Sequence, residues 1–361
     1  MNDAQRFLAI CAATASTLLA AVGALNHRVD PFQQYRLAAP GAAYFPRTLQ
    51  RHINPGLAKN ADYQFVISGS SMMENYDLAE VGRRCGLKAI NLATSAISAH
   101  EQRAILEVAL RHRKPRKVLM TLDFNSFAAP IDGSLPEITE PLPVHLYDDN
   151  PLNDYRYLLS GPVAMRSLAI LAGRPERGAN ISTRFDAAWS WVHEAQFARE
   201  RAVRGLDPAD LNRNYRQGPR TFEHMRASFE TNIVPLLEAN PDTEFNLVYP
   251  PYSILVWADF VQRQQLDLTL AFKAWVFSRV GALPNVRVFD LQAERAITHD
   301  LDRYNDMYHF DPAVNLLLID AACGGDPRYR VSANSRFDDE LAQQARQADP
   351  AALIAAARPG R

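Results

Sequence analysis

The sequence predicts an α/β fold, a parallel sheet with helices on both faces. Three observations lead there. Five short apolar runs recur along the chain, each with the length and composition of a strand. Helical segments separate most of them, and strands alternating with helices argue for parallel pairing. The chain has 361 residues and is 47% hydrophobic, enough to bury one large core.

Phe7 to Leu25 is an uncharged run of 19 residues between Arg6 and His27-Arg28. That length suits a membrane span, while Val22-Gly23-Ala24 also matches a small-residue cleavage site. The run is either an uncleaved signal anchor, the favoured reading, or a removed signal peptide. Both export the rest of the chain. Cys11 is not a lipid anchor, because Ile10 precedes it and more apolar sequence follows. Residues 26–60 carry the turn signals Asp30-Pro31-Phe32, Ala39-Pro40-Gly41 and Asn54-Pro55-Gly56. They predict a lead-in segment packed loosely on the domain.

The first strand is Tyr63 to Ser68, followed by a helix over Glu74 to Arg84 that ends near Gly86. Leu87 to Leu92 is the second strand. Ser98 to Arg111 is a strongly amphipathic helix, with Ile105, Leu106, Val108, Ala109 and Leu110 among Glu, Arg and His. Val118 to Leu122 is the third strand. The alternation then breaks. Residues 126–220 carry prolines at 130, 136, 141, 143 and 151, with helices expected around 162–172 and 183–204. This stretch is an insertion, and ordinary helix packing accounts for its aromatics better than a substrate groove does. The pattern resumes with a helix over Phe222 to Ala239 and a fourth strand, Glu244 to Tyr249, stopped by Pro250-Pro251. A helix over Gln265 to Val280, a fifth strand Val286 to Leu291 and a helix over Pro312 to Cys323 follow. The tail from about 337 is polar and Ala-rich, one helix with a frayed end.

The organisation is therefore an export segment (1–25), a lead-in (26–60), one α/β domain (61–330) with an insertion (126–220), and a tail (331–361). Net charge is −1 with no long Lys/Arg run, which removes an electrostatic case for nucleic acid. The three cysteines show no zinc spacing, and Asp300, Asp302 and Asp306 lack the glycine bend of a calcium loop. No metal or cofactor is expected. Cys85 and Cys323 either pair in an oxidising compartment or remain buried thiols.

Ligands of open α/β sheets bind outside the carboxyl ends of the strands. Four motifs follow strand ends here. Gly69-Ser70-Ser71 follows the first, and Asn91-Leu92-Ala93-Thr94-Ser95-Ala96 closes the second. Asp123-Phe124-Asn125 closes the third. Beyond the fifth lies Asp306-Met307-Tyr308-His309-Phe310-Asp311-Pro312. The last is the most informative. A carboxylate three residues before a histidine can hold one ring nitrogen and leave the other facing a nucleophile.

These four blocks, in this order, resemble the SGNH hydrolases, also called the GDSL family, over about residues 62 to 325 outside the insertion. Ser71 matches the family's nucleophile, Asn125 its oxyanion-hole asparagine, and Asp306 and His309 its acid and base. Ser70 stands where the family has Asp, and Ala96 and Asp123 stand where it has glycines. The resemblance implies a three-layer, flavodoxin-like fold with strand order 2-1-3-4-5. It implies acyl transfer by Ser71, His309 and Asp306, with an oxyanion hole from Ser71 and Ala96 N–H and the Asn125 amide. Asp123 either repels an oxyanion or binds a sugar hydroxyl. Tyr252, in the site rim or a rigid loop, and Tyr304, beside the triad or in the core, are further candidates for substrate binding. By contrast, Met73 replaces the second glycine of the Gly-x-Ser-x-Gly elbow of α/β-hydrolases.

The branch resembled is that of exported envelope-polysaccharide O-acetyltransferases and esterases. The expected partners follow: an acylated carbohydrate or lipid-linked glycan, the membrane through residues 7–25, and other polysaccharide-assembly proteins. The expected place is periplasmic or otherwise extracytoplasmic. Two alternatives stand beside this reading: a non-catalytic module that binds or scaffolds polysaccharide, and a lipid or thioester hydrolase.

Overall fold

The five apolar runs form five strands: β1 (Phe65–Ser68), β2 (Ala89–Asn91), β3 (Lys117–Thr121), β4 (Glu244–Tyr249) and β5 (Val286–Asp290). A computed structural model of the chain describes residues 2–39, 42, 44–173, 181–211, 220–324 and 327–358. The sheet runs β2-β1-β3-β4-β5 and every pairing is parallel. Phe65 lies opposite both Ala89 and Lys117, Lys117 opposite Glu244, and Phe245 opposite Val286, so the carboxyl ends share one edge.

The longer helices are α1 (Asp3–Val29), α2 (Gln50–Asn60), α3 (Leu78–Cys85), α4 (Ala99–Arg113) and α5 (Gly161–Leu171). They continue with α6 (Phe222–Asn232), α7 (Ile254–Gln262), α8 (Leu266–Val280), α9 (Pro312–Gly324), α10 (Phe337–Gln347) and α11 (Pro350–Ala357). The chain leaves β1 toward β2, then crosses back to β3. With right-handed crossovers this places α3 and α4 on opposite faces. The packing agrees: α2, α4, α6 and α8 form one contiguous layer, and α3 packs with α9 in the other. The reversal of direction lies between β1 and β3, where such sheets open a crevice.

Local chemistry explains the element ends. Ser98 and Glu101 form a capping box at the start of α4. The Asp77 side chain accepts from Ala79 and Glu80 N–H and starts α3, and Gly86, at φ 64°, ends it. The helix expected from Glu74 therefore begins later, after a 3-10 turn over Ser71–Met73.

Other expectations are corrected by contacts between distant segments. The lead-in is not loosely packed. Its Asn-Pro-Gly signal lies inside α2, which buries Ile53, Asn54, Leu57 and Ala58. Gly56 sits so close to the Phe32 and Gln33 carbonyls that a Cβ would collide with both. The helix expected over 183–204 is replaced by a short strand Ile181–Ser182, turns, and a single turn Arg199–Ala202. There the Trp191 N–H donates to the Asn75 side chain, and the Trp189 ring to the Asn91 carbonyl. Pro235 divides the helix expected over 222–239 at Ile233. Helix α7, missed behind its Pro-Pro signal, is largely buried.

The tail is also more than a frayed helix. In α10 Leu341 is buried, Gln344 donates to the Ala293 carbonyl, and Asp338 pairs with Lys273. Cys85 and Cys323 form a disulfide joining α3 to α9. That resolves the open alternative toward pairing.

Candidate active site

The site begins at the carboxyl end of β1. Gly69, at φ 152°, occupies a region that favours glycine, and a Cβ there would strike the Thr121 hydroxyl of β3. The chain therefore turns sharply against β3 and delivers Ser71 at the edge of the sheet. Asn91, at the end of β2, braces that turn by donating to the Met73 carbonyl at 2.8 Å.

From beyond β5 comes the segment carrying Asp306 and His309. The Ser71 Oγ lies 2.7 Å from His309 Nε2. His309 Nδ1 lies 2.7 Å from Asp306 Oδ2. Asp306 Oδ1 also accepts from the Tyr308 N–H at 2.8 Å and the His309 N–H at 2.9 Å, which fixes the carboxylate. With Nδ1 turned to a carboxylate, the ring proton belongs on Nδ1. Nε2 is left to accept from the Ser71 hydroxyl.

The electrostatics follow from the contacts. Burial alone would raise the Asp306 pKa, but the His309 ring and the two N–H bonds outweigh it and hold it at about 2. Burial alone would lower the His309 pKa. The Asp306 carboxylate, and more weakly Glu74, outweigh that and raise it above its ordinary value, against an opposing push from Arg47. The His309 side chain remains 22% exposed, so the ring is reachable from outside.

Two segments are clamped to keep this geometry. The one after Ser71 and the one after His309 are joined by the Cys85–Cys323 disulfide and the Arg84–Asp320 ion pair. Asn315 also donates to the Asn75 carbonyl at 2.9 Å. On the other side of Ser71, Glu74 is fully buried and holds the lead-in to the site. It pairs with Arg47 at 2.6 Å and accepts from Gln50 and from the Ser95 hydroxyl, each at 2.7 Å. Arg51 donates to the Ser95 and Ala96 carbonyls and pairs with Glu101. Ala96 itself sits at φ 49°, a conformation that costs a residue with a Cβ. Among the described residues no acceptor is bonded to the Ser71 or Ala96 backbone N–H.

Asn125 follows β3 in the one-turn helix Phe124–Ala128. Its N–H donates to Asp123 Oδ1, and its side-chain oxygen accepts from Arg220 Nη2 at 2.5 Å. With the oxygen engaged, the amide NH2 is the end left to donate elsewhere. Three further candidates are placed by their contacts. Asp123 is buried, and its Oδ1 also accepts from the Tyr252 hydroxyl at 2.8 Å, so it caps the Asn125 helix through that oxygen. Tyr252 is buried with it. Tyr304 is fully buried and donates to the Pro251 carbonyl at 2.8 Å, so it is core.

Sequence reasoning missed Arg47, Gln50, Glu74, Arg220 and the placement of Trp191. The Trp191 ring meets His309 edge to face at 5.2 Å, and the Arg47 guanidinium lies over the Trp191 ring at 5.5 Å from its centre. Glu74 carried a faint signal, as a lone carboxylate just after Met72-Met73 and three residues past Ser71. The others lie in segments that show no motif. Among the described residues no group of His, Cys, Asp and Glu is arranged to hold a metal ion. No protein-family model matches the chain, and a search of curated proteins also finds no match.

Proposed function

We propose that the chain is a serine-dependent acyl ester hydrolase or O-acyltransferase of the SGNH type. One observation carries the reading: the continuous relay from the Ser71 hydroxyl through His309 to Asp306. In this reading the Ser71 oxygen attacks the ester carbonyl as its proton passes to His309 Nε2. Asp306 stabilises the imidazolium that forms. The Ser71 and Ala96 N–H groups and the Asn125 NH2 receive the oxyanion. The tetrahedral intermediate then collapses, and the departing alcohol takes the proton from His309. A water or a sugar hydroxyl next gives its proton to His309 and attacks the acyl-Ser71 carbonyl. Ser71 leaves with that proton, releasing the acid or a new ester.

The substrate we assign is an acyl ester on a glycan or glycolipid outside the cytoplasm. The resemblance to envelope-polysaccharide enzymes motivates the glycan. The disulfide and the N-terminal apolar helix support export, since disulfides persist in oxidising compartments. The test is labelling of the folded chain with a serine-reactive fluorophosphonate, alongside turnover of p-nitrophenyl acetate. The expected result is labelling and turnover that both vanish in Ser71→Ala. Equal labelling of wild type and a folded Ser71→Ala chain overturns the assignment.

A further inference from the structure

We infer that the insertion carries a second membrane contact: the outer face of α5, with the turn before it, lies in the lipid interface beside α1. The inference is independent of the acyl-transfer reading, because it uses no residue of the Ser71 site.

Three observations carry it. The first is where the apolar surface lies. Among the described residues, 14 large hydrophobic side chains are exposed; five are on α1, and seven fall between Val144 and Leu171. Among the described residues there are none after Phe185, so this surface belongs to the N-terminal half of the chain. Exposed apolar side chains gathered in this way mark an interaction site, whereas scattered ones need no explanation.

The second is the pattern within α5. Its buried face is Val163 and Ser167, one turn apart. Away from that stripe Met165 is 70% and Leu168 51% exposed, Leu171 at the end of the helix is 66% exposed, and Leu159 just before the helix is 41% exposed. A surface helix of a soluble domain normally turns charged residues outward. Here the only ionisable residue between Gly161 and Leu171 is Arg166, whose guanidinium lies over the Phe32 ring at 5.6 Å.

The third observation identifies the occupant. Helix α5 packs on α1, and the contact sits at a known height on the apolar run. Asn26 is buried there, donating to the Leu158 and Ser160 carbonyls and accepting from the Ser167 hydroxyl. Leu159 touches α1 at Gly23, where an added Cβ would lie 3.5 Å from its Cδ2. Gly23 is inside the uncharged run 7–25, within about 3 Å of its end at a rise of about 1.5 Å per residue. Nineteen residues give about 28 Å, barely the ~30 Å of a hydrocarbon core. The whole run is therefore needed to span, and whatever packs at Gly23 to Asn26 stands at the membrane boundary. The exposed side chains around α5 meet acyl chains and headgroups at that height, as interfacial helices do.

The test uses the full-length chain with Cys11→Ser, which leaves the Cys85–Cys323 disulfide and no other free thiol. Single substitutions Met165→Cys, Leu168→Cys, Leu171→Cys and, as a control far from this face, Asp267→Cys carry an environment-sensitive fluorophore. All four sites are exposed, so the labels do not enter the core. The proteins are placed in lipid nanodiscs at one copy per disc, with and without lipids bearing a nitroxide quencher. The expected result is blue-shifted emission and at least twofold stronger quenching at 165, 168 and 171 than at 267. Water-like emission and control-level quenching at all three overturn the inference. So does shielding that appears only with two copies per disc, which identifies the face as a contact between chains.

Discussion

Two clusters in this protein place a basic side chain against a carboxylate at nearly the same distance, yet their surroundings differ. At the sheet edge His309 lies 2.7 Å from Asp306. From α8, Lys273 lies 2.7 Å from Asp290 at the end of β5 and 2.6 Å from Asp338. The Lys273 and Asp290 side chains are each 2% exposed, against 22% and 32% for His309 and Asp306. Lys273 also faces the Tyr249 and Trp257 rings, and its contacts bind α8, β5 and α10 together. Both histidine and lysine have raised pKa values. A perturbed ionisation therefore does not by itself mark chemistry. What separates the clusters is the exposure of the base, 22% for His309 against 2% for Lys273, and a hydroxyl, Ser71, within bonding distance of the ring's second nitrogen.

The contrast can be broken by substitution, because one cluster should control rate and the other stability. Ser71→Ala is expected to have the largest effect, a loss of ester turnover on the order of 10⁶-fold. Urea unfolding should move by less than about 0.5 kcal/mol, since the side chain is partly exposed. Asp306→Asn should lower turnover by about 10⁴-fold. It should also shift the pH profile, with the sign set by the ring. His309 acts when neutral, and Asp306 raises its pKa, so turnover should climb with pH through a limb above 6.5. Removing the carboxylate should move that limb to lower pH in kcat/KM measurements. The stability that Asp306 contributes should be complete above pH 3.8 and lost as pH falls toward about 2, readable by acid unfolding.

The sealed cluster should answer in the opposite way. Lys273→Met leaves Asp290 buried without its cation and should cost about 3–5 kcal/mol in urea unfolding. Turnover per folded molecule should not change. A Lys273→Met chain with wild-type stability, or with reduced turnover when folded, breaks the distinction. Asn125→Ala sharpens the rate side by a smaller step, about 10²–10³-fold in kcat. Burst titration with the fluorophosphonate separates that loss from a loss of active molecules.

The fold was legible where short-range patterning decided it. The five strands, α4, α8 and α9 arise from apolar runs and periodicity that need no distant partner. The boundaries blurred where distant contacts override local signals. Pro55 and Gly56 look like a turn, yet Gly56 lies within α2 because the Phe32 and Gln33 carbonyls pack against it. Residues 183–204 look helical, yet the Asn75 and Asn91 bonds hold Trp189 and Trp191 in turns.

For the candidate site the division is similar. Ser71, Asn125, Asp306 and His309 were readable, because each sits in a short motif behind a strand and parallel strands deliver such motifs to one edge. Asp123, Tyr252 and Tyr304 were readable as positions but not as roles, because burial and internal bonds decide what a polar side chain offers. Glu74, Arg47, Gln50 and Arg220 had no local mark. Their contacts join residues 27, 24 and 95 positions apart.

The sequence by itself determined the α/β alternation, the apolar N-terminal run and the short motifs that carry Ser71, Asn125, Asp306 and His309 behind strand ends, since composition and spacing carry these. Only the tertiary structure decided that Ser71, His309 and Asp306 meet, that Cys85 pairs with Cys323, and that α5 turns an apolar face outward beside α1. Those facts are distances between segments far apart in the chain, and distances are set by packing the whole core.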